Sequence, residues 1–423
     1  MPPSPDSTTQ PAGPRSNRFG ALSDPELRKI SVLITTAFID MLGFAMVLPL
    51  LPFYALKLHA TPVVIGFITA SFSVAQLASA PLWGWVSDRY GRRPALLVGL
   101  LGSAAAYLVF GFATSVWFLL ASRVIQGAGG GTTGVAQAYV GDSIVPAKRA
   151  QALGWLSAAT SLGVAIGPAI GSWSVHFGAA APGLVAAAFC LTNVYFTWRW
   201  LPESRIRTAT PADGIRKKPP VWRALADIVT HPARPVSRLV WIYGAGMLGF
   251  TAMTSILALF LGARFGITEK TIWYFFAYVG TLSFVMRAMV LGPVVRRVGE
   301  VGAMRLGTVT LVVGLAIYPL VPSLWVMPFV MPLIPIGTAL LFPSTTALMS
   351  RTADQSVLGT TMGVAQTFGG LARVVAPLLA TFAFQRFGVG APFYVAAGIV
   401  AIVGVAAFRL PATIARPAEG SLG

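Results

Sequence analysis

Charged residues are scarce in this chain. They make up 10% of its 423 residues, whereas a typical soluble domain carries about 25%, so a soluble globular protein is excluded. Cysteine is almost absent, since Cys190 is the only one, and this excludes an intramolecular disulfide and a cysteine-based metal site. The three histidines are scattered at positions 59, 176 and 231. No metal and no cofactor are therefore expected.

Acidic residues are fewer still, at 13 against 31 basic residues, and the formal net charge is +18. Such a charge can indicate nucleic-acid binding, but here the basic residues fall in short stretches between apolar segments and form no patch interleaved with aromatic residues. The expected partner of these cations is the anionic surface of a lipid bilayer. No nucleic-acid partner is expected.

Apolar sequence dominates the chain instead. Hydrophobic residues reach 55%, and the mean hydropathy is +0.73. An apolar segment of roughly 20 residues is long enough to cross the hydrocarbon core as a helix. Twelve such segments can be drawn, at 30–54, 62–86, 94–113, 116–140, 150–176, 181–201, 239–262, 271–292, 301–320, 324–349, 357–385 and 391–410. The sequence therefore predicts an all-α membrane protein with twelve transmembrane helices.

The distribution of basic residues predicts how these helices are oriented. With this segmentation the external loops hold only Lys57, Arg264, Lys270 and Arg386, and the basic loops of membrane proteins stay in the cytoplasm. Both termini are thus expected in the cytoplasm of a multi-pass protein of the cell membrane, the inner membrane if the source is bacterial. The predicted organisation is a disordered tail at 1–29, helical regions at 30–201 and 239–410, a cytoplasmic linker at 202–238 and a tail at 411–423.

A charged turn lies between the second and third apolar segments. It reads Gly84-Trp-Val-Ser-Asp88-Arg89-Tyr-Gly91-Arg92-Arg93-Pro94. Its arginines hold a short loop on the cytoplasmic side, its glycines permit tight backbone turns, and its proline suits the first turn of the next helix. The same glycine spacing returns 208 residues later in Gly292-Pro-Val-Val-Arg296-Arg297-Val-Gly299. The repetition indicates two related halves.

This turn resembles a known motif. Gly84, Asp88, Arg89, Gly91 and Arg92 at this spacing resemble the signature loop of the major facilitator superfamily, a family of transporters. The resemblance implies two six-helix halves around a central cavity, which rock to open it to one side and then to the other. It also implies a conformational latch, in which the charge of the loop pairs across the halves in one state only. The alternative is a topological anchor that leaves Asp88 dispensable.

Asp40 is the only acidic residue well inside a predicted span. A carboxylate at that depth is costly and is by default a functional residue, so Asp40 is predicted to load and release a proton. Its surroundings, with Gly43, Pro49 and Pro52, resemble the first helix of drug/proton antiporters, which include the tetracycline exporters. The alternative is a structural aspartate that is permanently paired with an arginine.

Arg123 lies in the fourth segment, in Arg123-Val-Ile-Gln126-Gly127-Ala-Gly129-Gly130. An arginine inside a span must find a partner or water. The stretch resembles the fourth-helix motif of the same antiporters, which implies that Arg123 faces the cavity near the first helix, with Asp40 as its expected partner. Whether that pair takes part in proton coupling or is a fixed structural ion pair stays open.

The fifth segment is unusually rich in small residues. Gly154, Gly163, Gly167, Pro168 and Gly171 are spaced as in the motif that separates antiporters from symporters within the superfamily. Four glycines and a proline on one span give a kinked, closely packing surface. We expect this surface to serve as an interface or gate between the halves. Generic helix packing is the alternative.

The resemblance to tetracycline exporters covers about residues 30 to 410 and includes Gln76 in the second segment. Their pattern departs at Ala106 and Ser283, where those exporters carry an aspartate and a histidine, and the ninth segment has no acid. A tetracycline–metal chelate is therefore a poor candidate substrate. The residues predicted to line the substrate cavity are Gln76, Gln126 and Arg373.

The sequence predicts no catalysed reaction. The expected function is proton-driven export of a small lipophilic molecule or drug by alternating access, by a protein that acts as a monomer. One alternative is a proton-linked importer or a uniporter of another solute. Another is a non-transporting sensor or scaffold on the same fold, which would not need Asp40 to titrate.

Overall fold

The computed structural model describes residues 24–204, 221–353 and 357–410. These residues form helices joined by turns, and no strand occurs among them. Residues of four predicted regions lie outside the described residues, namely 1–23 of the N-terminal tail, 205–220 of the linker, 354–356 of the second helical region and the whole tail 411–423. The described part of the linker is not merely a connection, because it contains a helix that packs against later helices.

Sixteen α-helices occur in the described residues. In chain order they are α1 (Asp24–Val47), α2 (Leu51–Lys57), α3 (Pro62–Tyr90), α4 (Arg92–Gly111), α5 (Val116–Gly129), α6 (Thr132–Ser143), α7 (Pro146–Ser174), α8 (Ala181–Trp200), α9 (Val221–Thr230), α10 (Pro235–Phe265), α11 (Trp273–Val285), α12 (Leu291–Ile317), α13 (Met327–Val330), α14 (Leu333–Thr352), α15 (Leu358–Phe387) and α16 (Ala391–Phe408).

Some apolar segments consist of two consecutive helices. α1 ends at Val47, two residues before Pro49, and the chain restarts as α2, because a proline inside a helix removes a hydrogen bond and clashes with the preceding turn. α5 and α6 are separated by Gly130 and Gly131. A Cβ on Gly131 would lie 2.2 Å from Cγ of Trp83, so the chain passes the indole where only glycine fits.

The repeated turn of the sequence has a repeated backbone geometry. Gly91 separates α3 from α4 at φ 108°, ψ 160°, and Gly299 interrupts α12 at φ 72°, ψ 173°. Residues with a side chain rarely adopt such positive φ values, so both positions favour glycine. The two turns that the sequence relates by spacing are therefore also related in conformation.

Within the described residues, ten stretches are long and apolar enough to cross a membrane. One of them, Trp273–Leu320, has 48 residues and contains the break at Gly299. α5 and α6 have 14 and 12 residues, so each alone is shorter than a crossing helix. Large apolar side chains such as Trp117, Trp325 and Ile402 are exposed on the outside, where lipid would cover them.

The helices pack in two groups that meet along two seams. In the first group α1 packs along α7 and α8, and α4 packs along α5 and α8. In the second group α10 packs along α15 and α16, and α12 packs along α14 and α16. The first seam joins α3 to α15, and the second joins α7 to α11.

The seam between α3 and α15 is closed at one end of the bundle and open at the other. At the closed end, the N–H of Val63 donates to Oε1 of Gln385 at 3.1 Å. Near the middle, a Cβ on Gly370 would lie 2.6 Å from a methyl carbon of Leu77. Further along the same two helices, Gly84 and Gly363 have no other atom within 4 Å of the Cβ position. α3 and α15 therefore separate toward the end that carries Gly91, which we call the Gly91 end.

The apolar core follows the same division. The larger buried cluster contains residues of both helix groups, such as Met46, Ile65 and Phe260. A smaller cluster belongs to the first group alone and includes Leu96 and Tyr139. Shared apolar packing thus holds the two groups together, while the first group has separate packing of its own.

Candidate functional site

The turn at Gly91 is held by a carboxylate from a distant part of the chain. Glu203 accepts hydrogen bonds from the backbone N–H groups of Arg92 at 2.9 Å and Arg93 at 3.0 Å. It therefore caps the start of α4, where unpaired N–H groups and the helix dipole favour negative charge. A Cβ on Gly91 would lie 2.5 Å from Oε2 of Glu203. Glycine is thus favoured here both for its positive φ and for the space it leaves.

Asp88 and Arg92 belong to an ion-pair network within this loop. Nη1 of Arg92 lies 2.6 Å from Oδ1 of Asp88, and Nε of Arg92 lies 2.9 Å from Oδ2 of Asp142 at the end of α6. Arg93 donates to the backbone carbonyl of Trp198, and Arg89 lies over the ring of Trp85. In this structure the charge of Asp88 is therefore paired inside its own loop.

The second helix group carries a related ion pair with the signs exchanged. Glu300 stands 208 residues after Arg92 and directly follows the break at Gly299. Oε1 of Glu300 lies 2.9 Å from Nη2 of Arg351 at the end of α14. In both groups, an ion pair thus joins the start of the helix that follows the glycine turn to the end of a later helix, α6 in the first group and α14 in the second.

Asp40 is half-buried in α1 and lies at the break between α5 and α6. Oγ1 of Thr132 donates to Oδ2 of Asp40 at 2.8 Å. Thr132 is the first residue of α6, so the carboxylate lies at the positive end of that helix. Sequence reasoning missed Thr132, although the glycine run that precedes it is a signal that a new helix starts there.

Arg123 does not pair with Asp40, contrary to the expectation from the sequence. Its side chain is 1% exposed, donates to Oε1 of Gln126 and lies 4.7 Å from the ring centroid of Phe72. Nε2 of Gln126 in turn donates to the hydroxyl of Tyr107 at 2.7 Å. An amide and an aromatic face therefore replace the expected carboxylate as partners of the guanidinium.

This polar chain still ends close to the first helix. A Cβ on Gly43 would lie 3.0 Å from Cε2 and 3.1 Å from the hydroxyl oxygen of Tyr107. Gly43 is three residues after Asp40 in α1. Arg123 is therefore connected to the neighbourhood of Asp40 through Gln126 and Tyr107.

A cavity of about 700 Å³ opens between the helix groups on the Gly91 side. Of the residues predicted to line it, Gln76 and Arg373 do so. Gln126 is buried, is not part of the lining and accepts a hydrogen bond from Arg123. Residues of the loop also border it, including Asp88 and Arg92. The volume lies within the range of small-molecule sites, about 300–1,000 Å³.

The glycines of α7 face α1 and do not form the interface between the helix groups, contrary to the prediction. A Cβ on Gly163 would lie 2.6 Å from the carbonyl oxygen of Phe38, one on Gly167 would lie 2.7 Å from that of Leu42, and one on Gly171 would lie 2.5 Å from that of Met46. Three glycines therefore bring α7 into backbone contact with α1 on both sides of Asp40.

Contact between α7 and the second group uses a different face of the helix. A Cβ on Gly280 of α11 would lie 3.0 Å from Cα of Ala165. Gly154, the first glycine of the motif, has no other atom within 4 Å of its Cβ position. α7 thus joins the helix of Asp40 on one side and the second helix group on the other.

We expect Gly167→Ala to slow transport about tenfold, because overpacking of this kind costs about 1–3 kcal/mol and here displaces the helix that carries Asp40. Gly154→Ala is the matched control, since its Cβ enters open space. Initial rates in proteoliposomes, normalised to the protein incorporated, give the measurement. A fall in protein abundance with an unchanged rate per molecule would reduce the motif to simple packing.

The closed end carries an ion pair between the helix groups. Nζ of Lys57, the last residue of α2, lies 2.5 Å from Oε1 of Glu269 in the loop before α11. Partial burial alone would raise the pKa of Glu269, but the hydrogen bond from Lys57 and the charges of Lys57 and Lys270 outweigh it and lower that pKa. Because 212 residues separate the partners, no sequence spacing signals this contact.

The described residues contain no group of three or more His, Cys, Asp or Glu that could hold a metal ion. The site therefore consists of a cavity open toward one end, a carboxylate and arginines within membrane-crossing helices, and a glycine-packed helix that contacts both helix groups. These features define a multi-pass membrane transporter.

Comparison with known proteins gives the family. The chain belongs to the Major Facilitator Superfamily, whose sequence profile matches residues 33–377. It is 27% identical over 357 residues to the class B tetracycline resistance protein of Escherichia coli, covering 83% of this chain and 86% of that protein. It is also 27% identical over 376 residues to multidrug resistance protein 2 of Bacillus subtilis, covering 88% and 92%.

Solved structures agree on the fold. The human organic anion transporter MFSD10 matches with a TM-score of 0.66 at 24% identity, over 91% of this chain and all of that one. A bacterial homologue of the human lysosomal transporter Spinster, in an inward-facing and unoccupied conformation, matches with a TM-score of 0.70 at 14% identity, over 92% and 97%. The chain is thus a transporter rather than an enzyme, with drug-efflux proteins among its relatives.

Proposed function

We propose that this protein is a proton-coupled antiporter that exports a small lipophilic molecule by alternating access. The observation that carries the proposal is the position of Asp40, the one acid well inside a predicted span, which is held by Thr132 at 2.8 Å and flanked by the glycine contacts of α7. The efflux relatives support the direction of transport. Protons and one small-molecule substrate are its partners, and the protein acts as a monomer in the lipid bilayer.

The proposed architecture has twelve spans in two six-helix halves, at 30–201 and 239–410, joined by the linker 202–238. Gly299 divides the stretch Trp273–Leu320 into two spans, and α5 with α6 makes one broken span, which raises the ten continuous stretches to twelve. The matching glycine turns at Gly91 and Gly299 support this division. An even number of spans puts both termini on the same side, and the basic loops assign that side to the cytoplasm.

With this orientation the cavity opens to the cytoplasm, and the end closed by Lys57 and Glu269 faces outward. Export then requires the two halves to rock until the cavity opens outward. The loop at Gly91 would come together with the second half in that outward-open state, where Asp88 gains a partner across the halves. In the inward-open state Asp88 pairs with Arg92 at 2.6 Å.

Coupling is proposed to run through α7. When Asp40 is ionised, its carboxylate accepts from Thr132 and is stabilised by the start of α6. Protonation of Asp40 removes that charge and weakens the interaction between the Asp40 side chain and the start of α6. Because Gly163 and Gly167 keep α7 against α1, a shift of α1 is transmitted to α7 and through Ala165 to α11 in the other half.

The test is proton exchange by purified protein. In proteoliposomes with an internal pH dye, an antiporter moves protons only when a substrate is present on the opposite side. A panel of lipophilic compounds of differing charge is added in turn to protein-containing and empty liposomes. Substrate movement is measured in parallel. An importer would move protons and substrate in the same direction, a uniporter would move substrate without protons, and a sensor or scaffold would move neither, so each alternative gives a distinct result.

The ion pair at the closed end is expected to stabilise the closed state of that end by a small amount. An exposed pair is worth about 0.2–1 kcal/mol, so Glu269→Gln should raise the outward-open fraction about fivefold at most. Because the pKa of Glu269 is lowered, the pair stabilises the closed end fully at pH values above the group's ordinary pKa of 4.5. This stabilisation is lost as the pH falls through the lowered pKa. Spin labels at Leu56 and Arg386 report the separation of the halves.

The matched control for this gate exchanges the two charges. Lys57→Glu combined with Glu269→Lys should restore the closed distance, whereas each single change should not. If Glu269→Gln leaves the distance distribution unchanged at pH 7, packing alone closes this end and the ion pair is incidental.

A further inference from the structure

Arg373 differs from every other charged residue that lines the cavity. It lies in α15, four residues after Gly369 and three after Gly370, so it shares a helix face with both. Gly370 packs on Leu77 of α3, and Gly369 packs on Tyr243 of α10. Arg373 therefore lines the cavity where the two helix groups meet, midway along α15, whereas Asp88 and Arg92 belong to the loop at the Gly91 end.

The other charged residues that line the cavity, Asp88 and Arg92, are paired with each other. Asp88 and Arg92 pair at 2.6 Å, and Arg92 also pairs with Asp142 at 2.9 Å. Arg373 is only partly exposed, and in the described part of the chain no hydrogen bond or ion pair forms to it. Its Nε atom is buried without a partner. The cavity therefore holds one uncompensated positive charge at depth.

Comparison with Arg123 separates this arrangement from ordinary packing. Arg123 also lies in an apolar helix, but it is buried, donates to Gln126 and lies over the ring of Phe72. Arg373 lines the open cavity instead, about two helical turns after Gln366 and Thr367, which line it from the same helix. A partly buried guanidinium without a counter-ion is costly, and the open space in front of it is where a counter-ion would bind.

The rest of the lining defines the remainder of the ligand. Leu77, Ala80, Trp83 and Val135 provide apolar surface, and Gln76 and Thr133 provide hydrogen-bonding groups. A guanidinium binds carboxylate or sulfonate oxygens through two parallel N–H donors, which gives both strength and orientation. The volume of about 700 Å³ accommodates a drug-sized molecule.

We propose that Arg373 binds the anionic group of an amphiphilic monoanion, an aryl carboxylate or sulfonate, whose apolar body lies against Leu77 and Trp83. This proposal rests on the proposed function only in that the bound anion is the transported substrate. Gln76 and Gln366 flank the site with amide groups that suit uncharged polar atoms. The cavity therefore selects for one negative charge and disfavours dications.

The test is equilibrium binding to purified full-length protein in detergent at pH 7. The probes are naphthoate, phenylbutyrate and dansylglycine, each compared with its own primary amide, which has nearly the same shape but no charge. The variants are Arg373→Gln, Arg373→Lys and, as control, Arg287→Gln, which removes an exposed arginine of another membrane-crossing stretch that does not line the cavity.

Wild-type protein should bind the carboxylates at least about tenfold more tightly than their amides, as expected for a charge-assisted bidentate contact. Arg373→Gln should remove this preference and leave amide binding unchanged. Arg373→Lys should retain part of it, because lysine keeps the charge but not the paired donors. Arg287→Gln should behave as wild type.

Two results would overturn the proposal. One is a wild-type protein that binds no carboxylate better than its amide. The other is an Arg373→Gln protein that loses both ligands equally, which would assign the arginine to packing. Proton release measured on the same samples tests the antiport separately, since carboxylate binding without proton release rejects the antiporter and leaves the anion site standing.

Discussion

Replacing Asp40 with asparagine should abolish pH-driven export while substrate binding stays near the wild-type level. Asparagine has nearly the same shape, and its amide oxygen can still accept the hydrogen bond that Thr132 donates at 2.8 Å. It cannot take up a proton at any ordinary pH. If Asp40 is the coupling site, the variant therefore keeps its structure and loses the ability to use a pH gradient.

The measurement compares two modes in the same proteoliposomes. Export driven by an imposed pH gradient should fall to the rate of empty liposomes. Exchange of labelled for unlabelled substrate at equal pH should continue, because it requires the cavity to alternate but not a net proton transfer. Thr132→Val is the comparison variant, since it removes the hydrogen bond to Asp40 and leaves the titrating group in place. It should slow pH-driven export without abolishing it.

If the Asp40→Asn variant exports substrate at the wild-type rate under a pH gradient, the proton is carried by another group. Loss of both modes would show instead that Asp40 is structural, the alternative that the sequence left open. The sensor or scaffold interpretation expects no pH-driven export even from the unchanged protein, so it is tested by the same experiment.

The repeat was predictable because glycine at a positive φ is a backbone requirement. Gly91 and Gly299 were related by spacing alone, and the structure gives them φ values of 108° and 72°. The helical fold was predictable for a similar reason, since long apolar segments have no other way to satisfy their backbone groups in lipid. These features depend on local sequence and need no knowledge of which helices become neighbours.

The partner of Arg123 was not predictable in this way. The sequence places Arg123 and Asp40 in different spans at suitable depth, but the separation between two helices and their rotation are set by packing. Gln126, one turn after Arg123 on the same helix, satisfies the guanidinium locally. A neutral partner in the same helix was therefore preferred to a carboxylate on another.

The glycine face of α7 shows the same limit. Spacings of four residues put Gly163, Gly167 and Gly171 on one side of the helix, and these three pack closely in the structure, whereas Gly154 of the same motif does not. The neighbour that fills it is α1 and not the second helix group. Periodicity defines a face, whereas its neighbour depends on the arrangement of all the other helices.

Export of a monoanion should respond to membrane potential twice as strongly as export of a neutral compound. If one proton enters through Asp40 while a neutral substrate leaves, one positive charge moves inward per cycle, worth about 2.3 kcal/mol per 100 mV. If the substrate leaves with a negative charge, two charges move inward and the coupling is about 4.6 kcal/mol per 100 mV. Charges of the protein such as Arg373 contribute to this dependence on membrane potential only if they themselves move across the membrane field during the cycle.

The measurement uses proteoliposomes in which pH gradient and potential are set independently, the potential by a potassium gradient with an ionophore. Naphthoate and its amide are compared at equal pH gradient over a range of potentials, and the steady-state accumulation of each is recorded. The slope of log accumulation against potential should be twice as steep for the carboxylate. Arg373→Gln should lower the affinity for naphthoate but leave its slope unchanged, because the slope depends on the charge moved and not on how tightly it is bound. Equal slopes for the two compounds, or accumulation of the amide that ignores the potential, would contradict the exchange of a single proton at Asp40.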